Sequence, residues 1–164
     1  MEQSGVLVGP ITRRSRGSNP ALATYFYYNM QTFLPYTNFE KTFRVLDSKR
    51  LGKQRVEAYQ ILNILLNRTS TKAWRNHPAV KMWKGYENAL KLYFNECVKE
   101  WKKRGFQNNM KLEIIRCKII MPFWMKSRKF HASHRSNLLR KDKIYYSKFK
   151  WKEVDNLPYV WPVD

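Results

Sequence analysis

The chain has 164 residues, 43% of them hydrophobic, with six Trp, ten Tyr and nine Phe, and 32 Lys and Arg stand against 12 Asp and Glu for a formal charge of +20. One domain with a substantial core is the expectation, and a compact body this basic calls for an anionic partner, of which nucleic acid is the commonest; composition does not separate DNA from RNA. No stretch approaches the roughly 20 continuous apolar residues of a membrane span, the N-terminus lacks the basic head and apolar run of a signal peptide, and two cysteines without CxxC spacing exclude a secreted disulfide scaffold. The chain is therefore expected to be soluble and intracellular, cytoplasmic or nuclear, or virion-borne if its source is viral, with Cys97 and Cys117 as reduced thiols.

Residues 1–29 are expected to form a flexible basic extension. Gly5, Gly9 and Gly17 accompany Arg13, Arg14 and Arg16 without apolar periodicity, which suits a solvated tail, a backbone-following arm or a nuclear address. Thr37 and Glu40 have capping-box spacing, and Phe39, Phe43 and Leu46 predict a first short helix. Asp47 is placed to cap a second helix reaching Leu66. Leu51, Ala58, Leu62, Leu65 and Leu66 give it a core side and leave Arg50, Lys53, Gln54 and Glu57 on an outward polar stripe. A polar linker, Asn67 to Lys72, follows.

Pro78, capped by Asn76 or His77, predicts the start of a third helix that carries Trp83, Tyr86, Leu90, Phe94, Cys97 and Trp101. It ends where Lys102, Lys103 and Arg104 meet the negative end of the dipole and Gly105 can adopt the left-handed cap. Lys111 to Ile120 has strand-like content but no matching partner, so its state is left open. One more helix is predicted over Phe130 to Lys141, and Asp142 caps a shorter one carrying Ile144, Tyr145 and Phe149. The Pro- and aromatic-rich end, DNLPYVWPVD, is expected to lie extended over the core. The fold class read from this pattern is all-α, a compact single domain of about four to five helices.

Several residues could carry chemistry. His77, His131 and His134 lie in two short motifs, but no fourth ligand has the right spacing, so no metal is expected. The histidines can instead contact phosphate and sugar beside Arg135, Arg140 and Lys141, or cap and pack against neighbouring helices. Aromatics interleave with basic residues; Trp83, Tyr86 and Trp101 belong to the packing side of the third helix, whereas Tyr146, Trp151 and Trp161 are the freer candidates for stacking on bases. Glu57 is a lone carboxylate in a basic row, either a counter-ion or a reactive group.

The motif LGKQRVE from Leu51 to Glu57, followed by His77, Glu96 with Cys97, and Lys103 to Phe106, resembles the pyrimidine-dimer DNA glycosylase family of the phage endonuclease V type. The resemblance extends to a branch of small bacterial and viral proteins through MQTFLPY, RVLDSKRLGKQRVEA, HPAVKMWKGYE, FHASHRSNLLRKD and LPYVWPV. It implies an all-α domain over residues 30–164 that bends double-stranded DNA at a cyclobutane dimer and flips a base out. It also implies an amine that attacks the sugar C1′, releases the base through an imine and cuts the strand by β-elimination, which requires a neutral amine. Glu57 matches the family's catalytic glutamate, kept ionised by neighbouring Arg and Lys, and Arg50, Lys53, Arg55, His77, His131, His134, Arg135, Arg140 and Lys141 make the basic groove.

The family's attacking group is the amine at the mature N-terminus. The matching residues, Gln31 and Thr32, lie behind residues 1–29, so the resemblance supplies that amine only if the chain starts at Met30 or the arm is removed. Val56 stands where the phage archetype has Arg, with Arg55 and Lys53 supplying basic charge nearby. Lys53 can be read as a substitute nucleophile or as an i,i+4 ion-pair partner of Glu57. The expected function is thus a DNA glycosylase with abasic-site lyase activity and no cofactor. The alternative is a non-catalytic DNA-binding or packaging protein on the same fold; an RNA module is disfavoured because no RNA-reading signature is present. The oligomeric state is left open.

Overall fold

The computed structural model describes residues 30–70 and 74–163, and the expected N-terminal arm lies outside them. Six α-helices occur among the described residues, with no strand: α1 Phe39–Val45, α2 Ser48–Leu65, α3 Pro78–Lys81, α4 Glu87–Lys103, α5 Arg128–Lys141 and α6 Lys143–Tyr146. No helix among them is long and apolar enough to cross a membrane.

Local signals place most helix ends. Asp47 caps α2 by accepting from the Arg50 N–H at 3.1 Å, and Asp142 caps α6 by accepting from Tyr145 at 3.0 Å. His77, with Pro78 after it, caps α3 through Nδ1, which accepts from the Ala79 N–H at 3.0 Å. Gly105, at φ +83°, takes the left-handed position after α4;. The first helix departs from the expectation by one residue. Asn38, rather than Thr37, is its cap and accepts from Lys41 at 2.7 Å, while the Thr37 hydroxyl sits 3.2 Å from His131 Nε2.

The single helix expected from Pro78 through Trp101 is two. Gly85, at φ +84°, breaks the ladder after α3, and its N–H donates to Glu87 Oε1 at 2.9 Å as α4 begins. Trp83 thus belongs to the connection. It is still fully buried, with Nε1 donating to Thr32 Oγ1 at 3.0 Å, which is why the apolar rhythm runs on through the break. Among the described residues Lys111 to Ile120 forms no strand. Instead it is strapped across α4, with Asn95 and Glu113 exchanging side-chain-to-backbone bonds of 2.8 and 2.9 Å and Arg68 pairing with Glu113 at 2.5 Å.

Helix α2 packs along α4, and α1 packs across α4. The core holds Phe33, Leu34, Phe43, Leu51, Leu62, Leu90, Phe94 and Cys97. Burial pushes the Cys97 thiol well up from its ordinary value, so it behaves as an apolar group;. Arg104 does more than face the dipole: it donates to the carbonyls of Leu46 at 2.7 Å and Phe43 at 2.9 Å, tying the end of α4 to that of α1.

Gly52 marks the closest approach of α2 and α4. A Cβ there would lie 2.9 Å from Trp101 Cζ3. That ring is held by its own Nε1 bond to the Gln107 carbonyl at 2.8 Å, by Phe106 stacked at 4.2 Å and by the Arg55 guanidinium at 4.1 Å. In an open helix Gly→Ala would stabilise by about 0.5–1 kcal/mol. Here the clash reverses the sign, and Gly52→Ala is expected to cost about 1–2 kcal/mol by urea denaturation; a stabilised variant would show that the ring yields freely.

Helix α5 runs two residues further toward the N-terminus than expected, capped by Ser127, and buries His131, Ser133, His134, Ser136 and Asn137. The C-terminal segment after Lys150 is neither helix nor strand and lies on the core through Trp151, Val160, Trp161 and Val163, as its composition suggested. Ser136 Oγ accepts from the Leu157 N–H at 2.9 Å and Ser133 Oγ from Val160 at 3.2 Å. Ile144, carried by α6, is almost fully exposed, whereas Tyr146 on the same helix is fully buried.

Candidate active site

The first described segment, Met30 to Pro35, passes between α2 and α5 and is bound from both sides. From α5, His134 Nδ1 accepts from the Leu34 N–H at 3.1 Å, and His131 Nδ1 lies 2.7 Å from the Leu34 carbonyl. Arg135 Nη1 donates to the Pro35 carbonyl at 2.7 Å, and Asn137 Nδ2 to Gln31 Oε1 at 2.9 Å. From α2, Gln54 Oε1 accepts from the Phe33 N–H at 2.9 Å while its Nε2 donates to the Gln31 carbonyl at 2.9 Å.

Gln54 and Glu57 face inward, which overturns the outward stripe expected for this side of α2. Gln54 is fully buried and Glu57 only 5% exposed. The polar side of α2 can turn in because the Met30–Pro35 segment beside it supplies backbone partners. Gln54 Nε2 also donates to Glu57 Oε2 at 2.6 Å, and Lys53 Nζ, half exposed, sits 3.4 Å from Glu57 Oε1.

Burial drives the Glu57 carboxyl up to about 7, against the opposing pull of Lys53, Gln54 and Lys141. The basic neighbours therefore do not hold it ionised as expected; desolvation outweighs them and leaves the group poised near neutrality. Desolvation, with the charges of Lys53 and Arg50, also holds the Lys141 amine below its ordinary value, while Glu57 works the other way. Lys53, Gln54, Glu57 and Lys141 thus form one cluster. Arg50 borders it, fixed by Asp47 at 2.7 Å and facing Asp142 at 3.8 Å.

The other expected site residues lie elsewhere. Arg55 points away from Glu57, bonded to Asn108 Oδ1 at 2.7 Å and covering Trp101. Arg135 pairs with Glu153 at 2.5 Å. Arg140 donates to the carbonyls of Asp155 and Leu157, both at 2.8 Å. All three histidines are buried. Their rings hold the backbone and are left no face for phosphate or sugar, so the packing alternative describes them. His134 is held well below its ordinary value by burial, then by His131 and Arg135, and stays neutral.

Tyr146, Trp151 and Trp161 each have partners within the fold. Tyr146 donates to Asp47 Oδ2 at 2.6 Å, Trp151 donates to Tyr36 Oη at 2.7 Å, and Trp161 packs edge-on against His77. No group of three or more metal-ligating side chains occurs among the described residues.

Sequence reasoning missed Tyr93 and Asn137, and named Gln31 only as a residue matching the position of the family's amine. The Tyr93 hydroxyl lies 2.6 Å from Gln54 Oε1 and 2.9 Å from the Phe33 carbonyl, so its single proton is shared between them. Only Gln54, three residues before Glu57, carried a local signal, since that spacing puts the two on one helix face.

No curated protein and no solved structure matches the chain. A family model described as pyrimidine dimer DNA glycosylase matches residues 30–114, a stretch that contains the Met30–Pro35 segment, Gln54 and Glu57 and stops before α5. On that match the chain belongs to the pyrimidine dimer DNA glycosylase family, a family of DNA-binding proteins.

Proposed function

We propose that the protein is a DNA glycosylase with abasic-site lyase activity that acts on pyrimidine dimers in double-stranded DNA, with Glu57 as the reacting carboxyl. The observation that carries this reading is a buried glutamate titrating near neutrality, inside the family match and beside two amines. A carboxyl with a pKa near 7 can exchange protons with a reacting sugar at neutral pH, and its ionised form stabilises positive charge developing there. Attack at C1′ forms a C–N bond as the N-glycosidic bond breaks and the base leaves with the electron pair. The resulting imine then permits β-elimination of the 3′ phosphate.

The attack needs a neutral amine. Lys53 is the nearer to Glu57, and Lys141 is the one whose amine is shifted toward the neutral form. A third source is the α-amine of a chain beginning at Gln31, whose carbonyl already shares the Gln54 amide with Glu57. Borohydride trapping on dimer-containing and abasic duplexes, with Lys53→Ala, Lys141→Ala and a chain beginning at Gln31, identifies the amine by which adduct disappears or gains. If none of these proteins gives an adduct or base release, the imine mechanism is wrong.

A second reading, a non-catalytic DNA-binding or packaging protein, is favoured by one observation: with Met30 before it the Gln31 nitrogen is a peptide nitrogen, and the Gln31 carbonyl and side-chain oxygen are already held by Gln54 and Asn137. Under either reading Lys53 and Lys141 contact phosphate. Neutralising both is expected to reduce the slope of log affinity against log salt by about 2, roughly one for each lost contact. An unchanged slope in filter binding would remove them from the interface.

A further inference from the structure

We infer that Gln54 is a positioning residue for the reaction at Glu57: its amide fixes the orientation of the Glu57 carboxyl and locks it to the backbone of the Met30–Pro35 segment. This rests on the reading of Glu57 as the reacting carboxyl and adds a role that no local motif assigns.

The amide has only one orientation that satisfies its neighbours. The Phe33 N–H is an obligatory donor, so the atom 2.9 Å away must be the oxygen, and the same oxygen receives the Tyr93 hydroxyl at 2.6 Å;. The Gln31 carbonyl is an obligatory acceptor, so the atom 2.9 Å from it must be the NH2 group. Its remaining hydrogen is left for Glu57 Oε2 at 2.6 Å. A flip would set two acceptors against each other at Gln31 and two donors at Phe33, inside a fully buried site;. Gln54 therefore donates to Glu57 wherever its bonds to Gln31 and Phe33 are made.

That donation selects one carboxyl oxygen. Oε2 is engaged by Gln54, while Oε1 faces Lys53 Nζ at 3.4 Å, on the half-exposed side from which a sugar can approach. A hydrogen bond to the ionised carboxyl also favours that form, against the desolvation that opposes it. The groups facing Glu57 come from every element around it: Lys53 on α2, Lys141 at the end of α5, Tyr93 on α4 and Tyr159 in the C-terminal segment. Of these, the two tyrosines are held protonated by burial and by the Glu57 charge itself, so they remain neutral across the working range. Gln54 touches both the carboxyl and the Met30–Pro35 segment.

Two variants separate this role from simple packing. Gln54→Glu keeps an oxygen for the Phe33 N–H and the Tyr93 hydroxyl but replaces the NH2 donor. Gln54→Met removes donor and acceptor together. Titration of the side-chain carboxyls by carbon-13 NMR in the full chain is expected to move the Glu57 midpoint up by about one pH unit in each variant. On a dimer-containing duplex, kcat is expected to fall at least about tenfold at pH 7, with its pH profile displaced in the same direction and KM within about twofold.

A Glu57 midpoint equal to that of the parent in either folded variant overturns the inference, as does a loss confined to KM. The NMR measurement reads Gln54 whether or not the parent cleaves DNA. Absence of base release by the parent would instead count against the proposed function, so the two failures are distinguishable.

Discussion

Glu57→Gln is expected to abolish base release and, at the same time, to make the folded protein more stable at alkaline pH. Burial pushes the carboxyl up to about 7 in the folded state, from an ordinary 4.5. The folded chain therefore holds this proton more tightly than the unfolded chain, and stability falls as pH rises from about 4.5 to about 7, then levels off. A shift of that size corresponds to a destabilisation on the order of 3 kcal/mol once the group is fully ionised. The glutamine variant carries no such cost and keeps an oxygen to receive the Gln54 amide. What it loses is the ion pair to Lys53, whose half-exposed side chain limits that loss to less than about 1 kcal/mol;.

Thermal melts of parent and variant should therefore coincide near pH 5 and separate above pH 7, with the variant higher, while single-turnover base release falls by a factor of about 10²–10⁴. A variant that melts below the parent at pH 8 would show that Glu57 is a structural counter-ion. Gain of stability with loss of activity is the signature of a group kept at a cost for its chemistry.

The second large effect is expected from His134→Ala. The ring is fully buried, accepts from the Leu34 N–H, and packs with ring centroids 4.3 Å from Phe130 and 4.7 Å from Tyr159. Truncation leaves a buried amide without its acceptor and opens a cavity between α5, the Met30–Pro35 segment and the C-terminal segment. Together these are expected to cost about 3–5 kcal/mol, read as a lowered urea midpoint; a cost below about 1 kcal/mol would mean that the Met30–Pro35 segment does not depend on this tether.

The same group has a pH signature opposite to that of Glu57. Its folded-state pKa lies well below the ordinary 6.5, so the unfolded chain binds the proton first, and stability is lost as pH falls below about 6.5. Glu57 gains stability over much of the same interval, so the parent should show a shallow dependence. The Glu57→Gln variant, with one of the two opposing groups removed, should lose stability steadily on acidification.

The sequence by itself determined the helical class and the points where helices start and stop, because those signals act within one turn. Asp47, His77 with Pro78, Asp142 and Gly105 each satisfy or release backbone groups two or three residues away, and each does so in the folded chain. It also singled out Glu57, since one acid in a basic row is visible without a fold. Only the tertiary structure decided that the stripe carrying Glu57 turns inward, that the histidines hold backbone rather than phosphate, and that Lys111 to Ile120 stays unpaired. The physical reason is the same in each case. A polar group can be buried only where partners meet it, and those partners lie far along the chain: Leu34 for His134, Gln31 for Asn137, Phe33 for Gln54. Periodicity reports which side of a helix is apolar; it cannot report that a distant segment will arrive to satisfy the polar side and convert it into a site.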